Sequence, residues 1–242
     1  MINYIKYDNF IKRAACLGVS LNQIQVEQFD TFFNTLVEKN EVMNLTAITE
    51  FEEVLTKHFL DSISLGKYID LTKDYEVLDL GTGAGFPGVP LKIAYPNLEI
   101  TLFDSLEKRI HFLDEAMTQI GLEDTTSFVH GRAEDFGRNS DFRESYDLVV
   151  SRAVADLSVL CEYALPFVKE EGFFVSYKSG SSDDEIKKAS HAIEELGGEI
   201  DRIETFILPE SDIERTLLFI KKIKKTPEKY PRRPGIPTKR PL

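Results

Sequence analysis

Three glycines within five residues, Gly81, Gly83 and Gly85, separate two short apolar runs that end near or at an aspartate, Asp79 and Asp104. Residues 76–104 read as a strand, a tight glycine turn, a helix and a second strand, which is one βαβ unit. Glycine lets the backbone turn sharply and approach a ligand with no side chain in the way. Closely spaced glycines destabilise a fold unless something needs them, which disfavours a tight turn with no ligand. Asp104 follows Gly81 by 23 residues. An acidic residue at the tip of the second strand is placed to bind ribose hydroxyls, so the unit predicts a site for an adenosine-containing cofactor.

Around this unit the chain divides into three parts. Residues 1–70 carry apolar residues at helical spacing over 3–18, 23–39 and 51–66, and are expected to form a helical appendage. Residues 71–223 continue the alternation. Helices are expected at 105–120, 157–168 and 182–196, and strands at 126–130, 146–151 and 172–178. The final runs, 200–208 and 215–223, have no helix between them. Their connection is too short for a parallel crossover, so they pair antiparallel. The expected fold is therefore α/β: a Rossmann-like, class I methyltransferase type of sheet, mostly parallel with an antiparallel last strand. Residues 224–242 form a basic, Pro-rich tail, expected to be mobile in isolation.

Composition bounds the function. With 242 residues, 42% of them hydrophobic, the chain can bury a substantial core. It shows no leader-like apolar run and no stretch long enough to span a membrane, which reads as a cytoplasmic protein. Cys16 and Cys161 are far apart and outside any CxxC pattern, so no disulfide or metal site is expected. The net charge of -12 argues against a general nucleic-acid coating protein. Residues 221–242, however, hold nine basic residues against the single acid Glu228, a net +8 that leaves -20 on the rest. Lys221, Lys222, Lys224, Lys225, Arg232 and Arg233 are candidate RNA-binding residues, with Lys178 at the end of the fifth strand. Removing residues 221–242 is then expected to weaken RNA binding and leave cofactor affinity intact.

The glycine loop alone is ambiguous. Residues 83–88 satisfy GxGxxG, as a nicotinamide or flavin site would. The reversed last strand, the helices before the loop and Asp79 ahead of the first glycine favour S-adenosylmethionine, whose ammonium an acidic side chain can take up. Gly81 and Phe86 would flank this cofactor. Ala133 and Glu134, after the third strand, would lie beside the adenine, and Arg152, after the fourth, would face the methionine part or the substrate. The plainer readings are a surface salt bridge for Arg152 and an edge-of-sheet lysine for Lys178. Residues 44–48 (NLTAI) and 58–62 (HFLDS) read on physics alone as a polar turn and a packed helical histidine.

These stretches occur in order with residues 79–91 (DLGTGAGFPGVPL), 104–109 (DSLEKR), 132–134 (RAE), 151–153 (SRA) and 230–237 (YPRRPGIP). The combination resembles the bacterial small-subunit ribosomal RNA guanine-N7 methyltransferase family, also called glucose-inhibited division protein B, from about residue 40 to the tail. Residues 178–180 depart from it, with Ser179 where a glycine would follow the lysine. The resemblance implies methyl transfer from S-adenosylmethionine to N7 of one guanine in the decoding-region loop of 16S rRNA. It also implies binding positions at Gly81, Phe86, Ala133, Glu134 and Arg152, and an RNA-facing or cofactor-covering role for residues 44–48 and 58–62. The partner would be 16S rRNA or the small ribosomal subunit, with no obligate protein partner evident. A small-molecule methyltransferase would share the cofactor loop without a use for the basic tail, an oxidoreductase would share only the loop, and a non-catalytic RNA-binding module could dispense with the glycines.

Overall fold

Successive strand residues alternate between two apolar layers, so both faces of the sheet are covered. Val77, Val150, Val175 and Phe219 join one layer, and their neighbours Leu78, Val149, Phe174 and Leu218 join the other. The structure, a computed structural model, describes residues 4–152, 155–180 and 183–242. Ala153, the expected helix start at Ser182 and the first three residues lie outside the described residues. No helix among the described residues is long and apolar enough to cross a membrane.

The strands are β1 (Glu76–Leu80), β2 (Glu99–Asp104), β3 (Thr126–His130), β4 (Tyr146–Arg152), β5 (Val168–Ser179), β6 (Gly198–Ile207) and β7 (Glu214–Lys222). They form one sheet in the order β3-β2-β1-β4-β5-β7-β6. β7 runs antiparallel to both β5 and β6, while the five strands before them pair in parallel, as the sequence predicts. The order reverses between β1 and β4, and in open α/β sheets ligands bind at the carboxyl ends of the strands flanking such a reversal.

The amino-terminal helices are α1 (Asp8–Cys16), α2 (Gln23–Met43), α3 (Phe51–Val54) and α4 (Asp61–Ile63), with π-helical Leu55–Leu60 joining the last two. These helices pack directly onto the sheet's own helices. Phe10, Phe29, Phe32 and Phe59 share one core layer with Val89 and Leu91 of α5 (Gly88–Ala94) and Leu113 of α6 (Glu107–Ile120). Phe59 lies 5.0 Å from Phe29, 5.7 Å from Phe32 and 6.2 Å from Phe86 between ring centroids, so it ties these helices to the glycine loop. Phe59→Ala is expected to cost about 3–5 kcal/mol by chemical denaturation, and to weaken cofactor binding by releasing Phe86. A loss below about 1 kcal/mol would show that the helices dock independently of this ring.

Other boundaries moved for local reasons. α2 runs on to Met43 because Asn44, at a left-handed φ of 51°, terminates it, whereas the polar residues before it carry no apolar period to read. α8 (Leu157–Ala164) stops before Val168 because Pro166 cannot donate the next helical hydrogen bond. β5 starts four residues earlier than expected, through a polar, irregular stretch where its register against β4 shifts. The remaining helices are α7 (Ala133–Phe136), α9 (Asp183–Glu195) and α10 (Ile236–Lys239).

Candidate active site

β1 ends at Leu80 and its chain turns through the glycines against β2: Gly81 and Thr82 both donate their N–H to Phe103 O, at 2.9 and 3.0 Å. The turn needs glycine for two different reasons. Gly83 has a φ of +61°, a conformation L residues rarely adopt. At Gly88 a Cβ would stand 2.7 Å from Asp79 Oδ2 and 2.5 Å from Leu102, so only a bare backbone can approach that carboxylate.

Asp79 is fully buried. Its Oδ2 accepts from Thr82 Oγ1 at 2.6 Å and from Gly88 N at 2.8 Å. Its Oδ1 has no partner among the described residues. Burial raises the carboxyl to about 7, against the lowering effect of those two hydrogen bonds. A buried carboxylate oxygen without a donor is a place for a ligand cation, and the ammonium of an amino-acid moiety fits it.

Beside the loop, at the carboxyl ends of β1, β2 and β3, lies a cavity of about 260 Å³ bordered by Gly81, Asp104, Arg109, Ala133, Glu134 and Tyr163. Asp104 Oδ2 accepts from Gly83 N at 2.9 Å and Arg109 Nη1 at 3.2 Å, and Oδ1 accepts from Leu106 N at 2.9 Å. The cavity falls below the roughly 300–1,000 Å³ of sites for drug-sized ligands, a size that suits the adenosine half of a cofactor.

At the same edge of the sheet, at the ends of β4 and β5, is a second cavity of about 370 Å³. Four cations face it: Lys57, Arg152, Lys178 and Arg215. Arg152 is held from three sides. Its Nη1 donates to Asp61 Oδ2 at 2.9 Å, its Nη2 donates to His58 Nδ1 at 3.2 Å, and its guanidinium sits 4.9 Å from the centre of the Phe86 ring. Asp61, itself buried, also accepts from Arg215 Nε at 3.0 Å. The His58 ring stacks on Phe86 at 4.3 Å. Because its Nδ1 accepts from Arg152, the neutral ring carries its proton on Nε2 and donates to Thr46 Oγ1 at 2.9 Å. Burial, and then the Arg152 charge, push His58 down to about 3, so it stays neutral throughout the physiological range. The two stretches at 44–48 and 58–62 thus meet at His58, which together with Asp61 holds Arg152, and the π-helical segment that presents His58 is of a kind often found at functional sites.

Asp79, Gly81, Gly83, Gly85, Phe86, Asp104, Ala133, Glu134 and Arg152, the candidates from sequence, stand at this edge of the sheet, and the structure adds Asp61, Arg215 and Tyr163 beside them. Asp61 stands inside a stretch already singled out. Arg215 had no local signal, because its partner is 154 residues away in the chain.

The basic tail differs from expectation. β7 is antiparallel, so Arg215 pairs with Ser179 at the cavity edge while Lys221 pairs with Phe173 at the opposite edge. Six residues separate them, about 20 Å of strand. Lys221, Lys222, Lys224 and Lys225 therefore do not converge on the cavities. Lys222 is a core residue, its ammonium donating to Leu165 O at 2.5 Å and Thr226 Oγ1 at 2.8 Å; burial lowers it to about 8. Lys221 pairs with Glu171 at 2.7 Å and Arg232 with buried Glu162 at 2.5 Å. Lys178 stays at the second cavity, paired with Glu185 at 2.7 Å, and Arg233 is exposed. Residues 224–242 pack on the body through Tyr230, Pro231 and Pro237 and are a layer of the fold.

Solved structures similar in fold include an S-adenosylmethionine-dependent O-methyltransferase of Thermotoga maritima, with a TM-score of 0.53 and 17% identity over 79% of this chain and 72% of that one. Another is the fibrillarin pre-rRNA processing protein of Methanococcus jannaschii, with a TM-score of 0.52 and 16% identity over 68% of this chain and 74% of that one. At such identities the likeness concerns the fold. Sequence comparison is more specific. The ribosomal RNA small subunit methyltransferase G of Lachnoclostridium phytofermentans is 52% identical over 233 residues, 96% of each chain. The protein of the same name from Bacillus pumilus is 52% identical over 225 residues, 93% of this chain and 94% of its own. A family model described as rRNA small subunit methyltransferase G, GidB, matches residues 25–214, and with glycine loop, cofactor cavity and relatives in agreement, the chain belongs to that family.

Proposed function

We propose that this protein transfers a methyl group from S-adenosylmethionine to N7 of one guanine in the decoding-region loop of 16S rRNA, acting in the cytoplasm on the rRNA or the small ribosomal subunit. The observation that carries the reading is the Arg152 cluster: a cofactor cavity and a cation-faced cavity open on one edge of the sheet, with Arg152 on Phe86 beside the glycine loop. Asp79 would hold the cofactor ammonium. Asp104 would take the ribose hydroxyls in place of the half-exposed Arg109, and Ala133 and Glu134 would border the adenine.

The bound cofactor supplies an electrophilic methyl group on a sulfonium. Guanine N7 presents an in-plane lone pair and no proton, so the protein needs no general base, and a neutral His58 that holds Arg152 is consistent with that chemistry. What the residues must provide is alignment, which can be worth about 7–11 kcal/mol when reacting atoms are held at about 3 Å. Arg152 can donate to guanine O6, next to N7 on the same base edge. Lys57, Lys178 and Arg215 offer positive charge to the flanking backbone.

The test is tritium transfer from labelled S-adenosylmethionine into unmodified small subunits, with the modified base mapped. Label at guanine N7 in the decoding region is expected; label elsewhere, or none, rejects the assignment. Calorimetry with S-adenosylhomocysteine and NADH separates the cofactor classes, and binding of NADH alone would overturn the reading.

A further inference from the structure

After β7 the chain turns back across the body toward the cofactor cavity. Thr226 donates its N–H to Glu144 Oε1 at 2.9 Å and its hydroxyl to Leu196 O at 2.7 Å, while Arg143 reaches Thr226 O at 2.6 Å and Tyr230 O at 2.9 Å. Arg232 then meets Glu162, whose side chain is fully buried, through its main-chain N at 2.7 Å, Nε at 2.9 Å and Nη2 at 2.5 Å. Without that arginine Glu162 would be a buried, poorly compensated charge, so the segment is anchored as part of the fold. Beyond the anchor, Gly235 donates its N–H to Glu134 Oε1 at 3.1 Å, and Thr238 Oγ1 lies 3.1 Å from the Tyr163 hydroxyl. Glu134 and Tyr163 both border the cofactor cavity.

From these contacts we infer that residues 226–242 brace from behind the wall of the cofactor site made by Glu134 and Tyr163, and that Gly235 is a positioning residue that orients the Glu134 carboxylate to read the adenine amino group. The inference rests on the cofactor reading above. Glu134 stands on α7, a single four-residue turn that cannot fix a side chain by itself. One main-chain donor on Oε1 sets the carboxylate's orientation and leaves acceptor capacity for a ligand. A carboxylate fixed in this way accepts from an exocyclic amino group and repels a carbonyl oxygen, so the site distinguishes adenine from hypoxanthine. The tail thus acts on the cofactor, contrary to the expectation that its removal leaves cofactor affinity intact.

The experiment compares S-adenosylhomocysteine with S-inosylhomocysteine by calorimetry in the full chain, in a chain ending at Pro234, and in Gly235→Pro. The last deletes one N–H, and proline cannot take the φ of +79° found there, while Arg232 keeps its anchor. The full chain should prefer the adenosine compound at least tenfold. Both variants should lose most of that preference through a roughly tenfold weaker affinity for the adenosine compound, with affinity for the inosine compound unchanged. Undiminished preference in either variant, with the native circular dichroism spectrum, overturns the inference. If the shortened chain does not fold, Gly235→Pro decides alone. Failure of the full chain to bind S-adenosylhomocysteine overturns the cofactor reading itself, a result distinct from a failure of the wall.

Discussion

Asp79→Asn is expected to weaken cofactor binding at least 100-fold while making the ligand-free protein more stable above pH 7. Burial holds the Asp79 carboxyl at about 7, well above the ordinary aspartate value near 3.8. A carboxyl whose folded-state pKa lies above its unfolded value penalises the fold where it is ionised. The penalty is absent below about pH 4, grows between about 4 and 7, and is complete above 7. Asparagine keeps an oxygen for Thr82 and Gly88 and carries no charge, but its amide stands unpartnered where Oδ1 was. With a deduction of about 2 kcal/mol for that amide at every pH, the gain is on the order of 2 kcal/mol at pH 8.5, and at pH 4, where the ionisation penalty is below about 1 kcal/mol, the variant is about 1–2 kcal/mol less stable than wild type. Binding moves the other way. The ligand ammonium needs the ionised acid, so wild-type affinity for S-adenosylhomocysteine should fall about tenfold for each pH unit below 7, and the asparagine variant should bind at least 100-fold more weakly with a flat profile. Thermal melts and calorimetry from pH 5 to 9 measure both. Wild-type affinity independent of pH over that range would remove Asp79 from the ammonium site.

Asp79 was readable in the sequence because its signal is local: an acid two residues before a glycine, at the end of an apolar run. The same holds for Gly81, Gly83, Asp104 and the antiparallel β6–β7 pair, all fixed by spacing over a few residues. What the sequence hid depends on distant partners. Arg232 counts as a surface cation in any local tally, and only the fold brings it to a buried glutamate 70 residues earlier. Lys222 sits in a basic run, yet strand alternation turns it inward while Lys221 turns out. The direction of β7 was read correctly, but its consequence, that a run at the strand's far end points away from the site, follows only once β5 is its neighbour. The 44–48 and 58–62 stretches looked unlike helix filler without revealing that both serve Arg152.

Arg152→Ala is expected to lower kcat/KM for methyl transfer to small subunits about 100-fold, with a smaller, roughly tenfold, loss in affinity for S-adenosylhomocysteine. The guanidinium touches Asp61, His58 and Phe86 together, so removing it frees the side chains that border both cavities, and misplacement of about 1 Å can cost 10²-fold in rate. Arg152→Lys should recover little. A single ammonium cannot span a carboxylate, an imidazole nitrogen and an incoming guanine edge, and it stacks less well on Phe86. Asp61→Asn should approach the effect of Arg152→Ala on kcat without touching Arg152 itself, because the buried carboxylate fixes Arg152 and Arg215 through separate oxygens. If Asp61 acts through Arg152, the double variant will be no worse than Arg152→Ala by more than about 0.5 kcal/mol in transition-state stabilisation, whereas independent roles would add. Single-turnover tritium transfer on saturated enzyme separates this from a binding defect. Full activity in Arg152→Ala would take the residue out of the site, and strict additivity would leave Asp61 as an anchor for Arg215 alone.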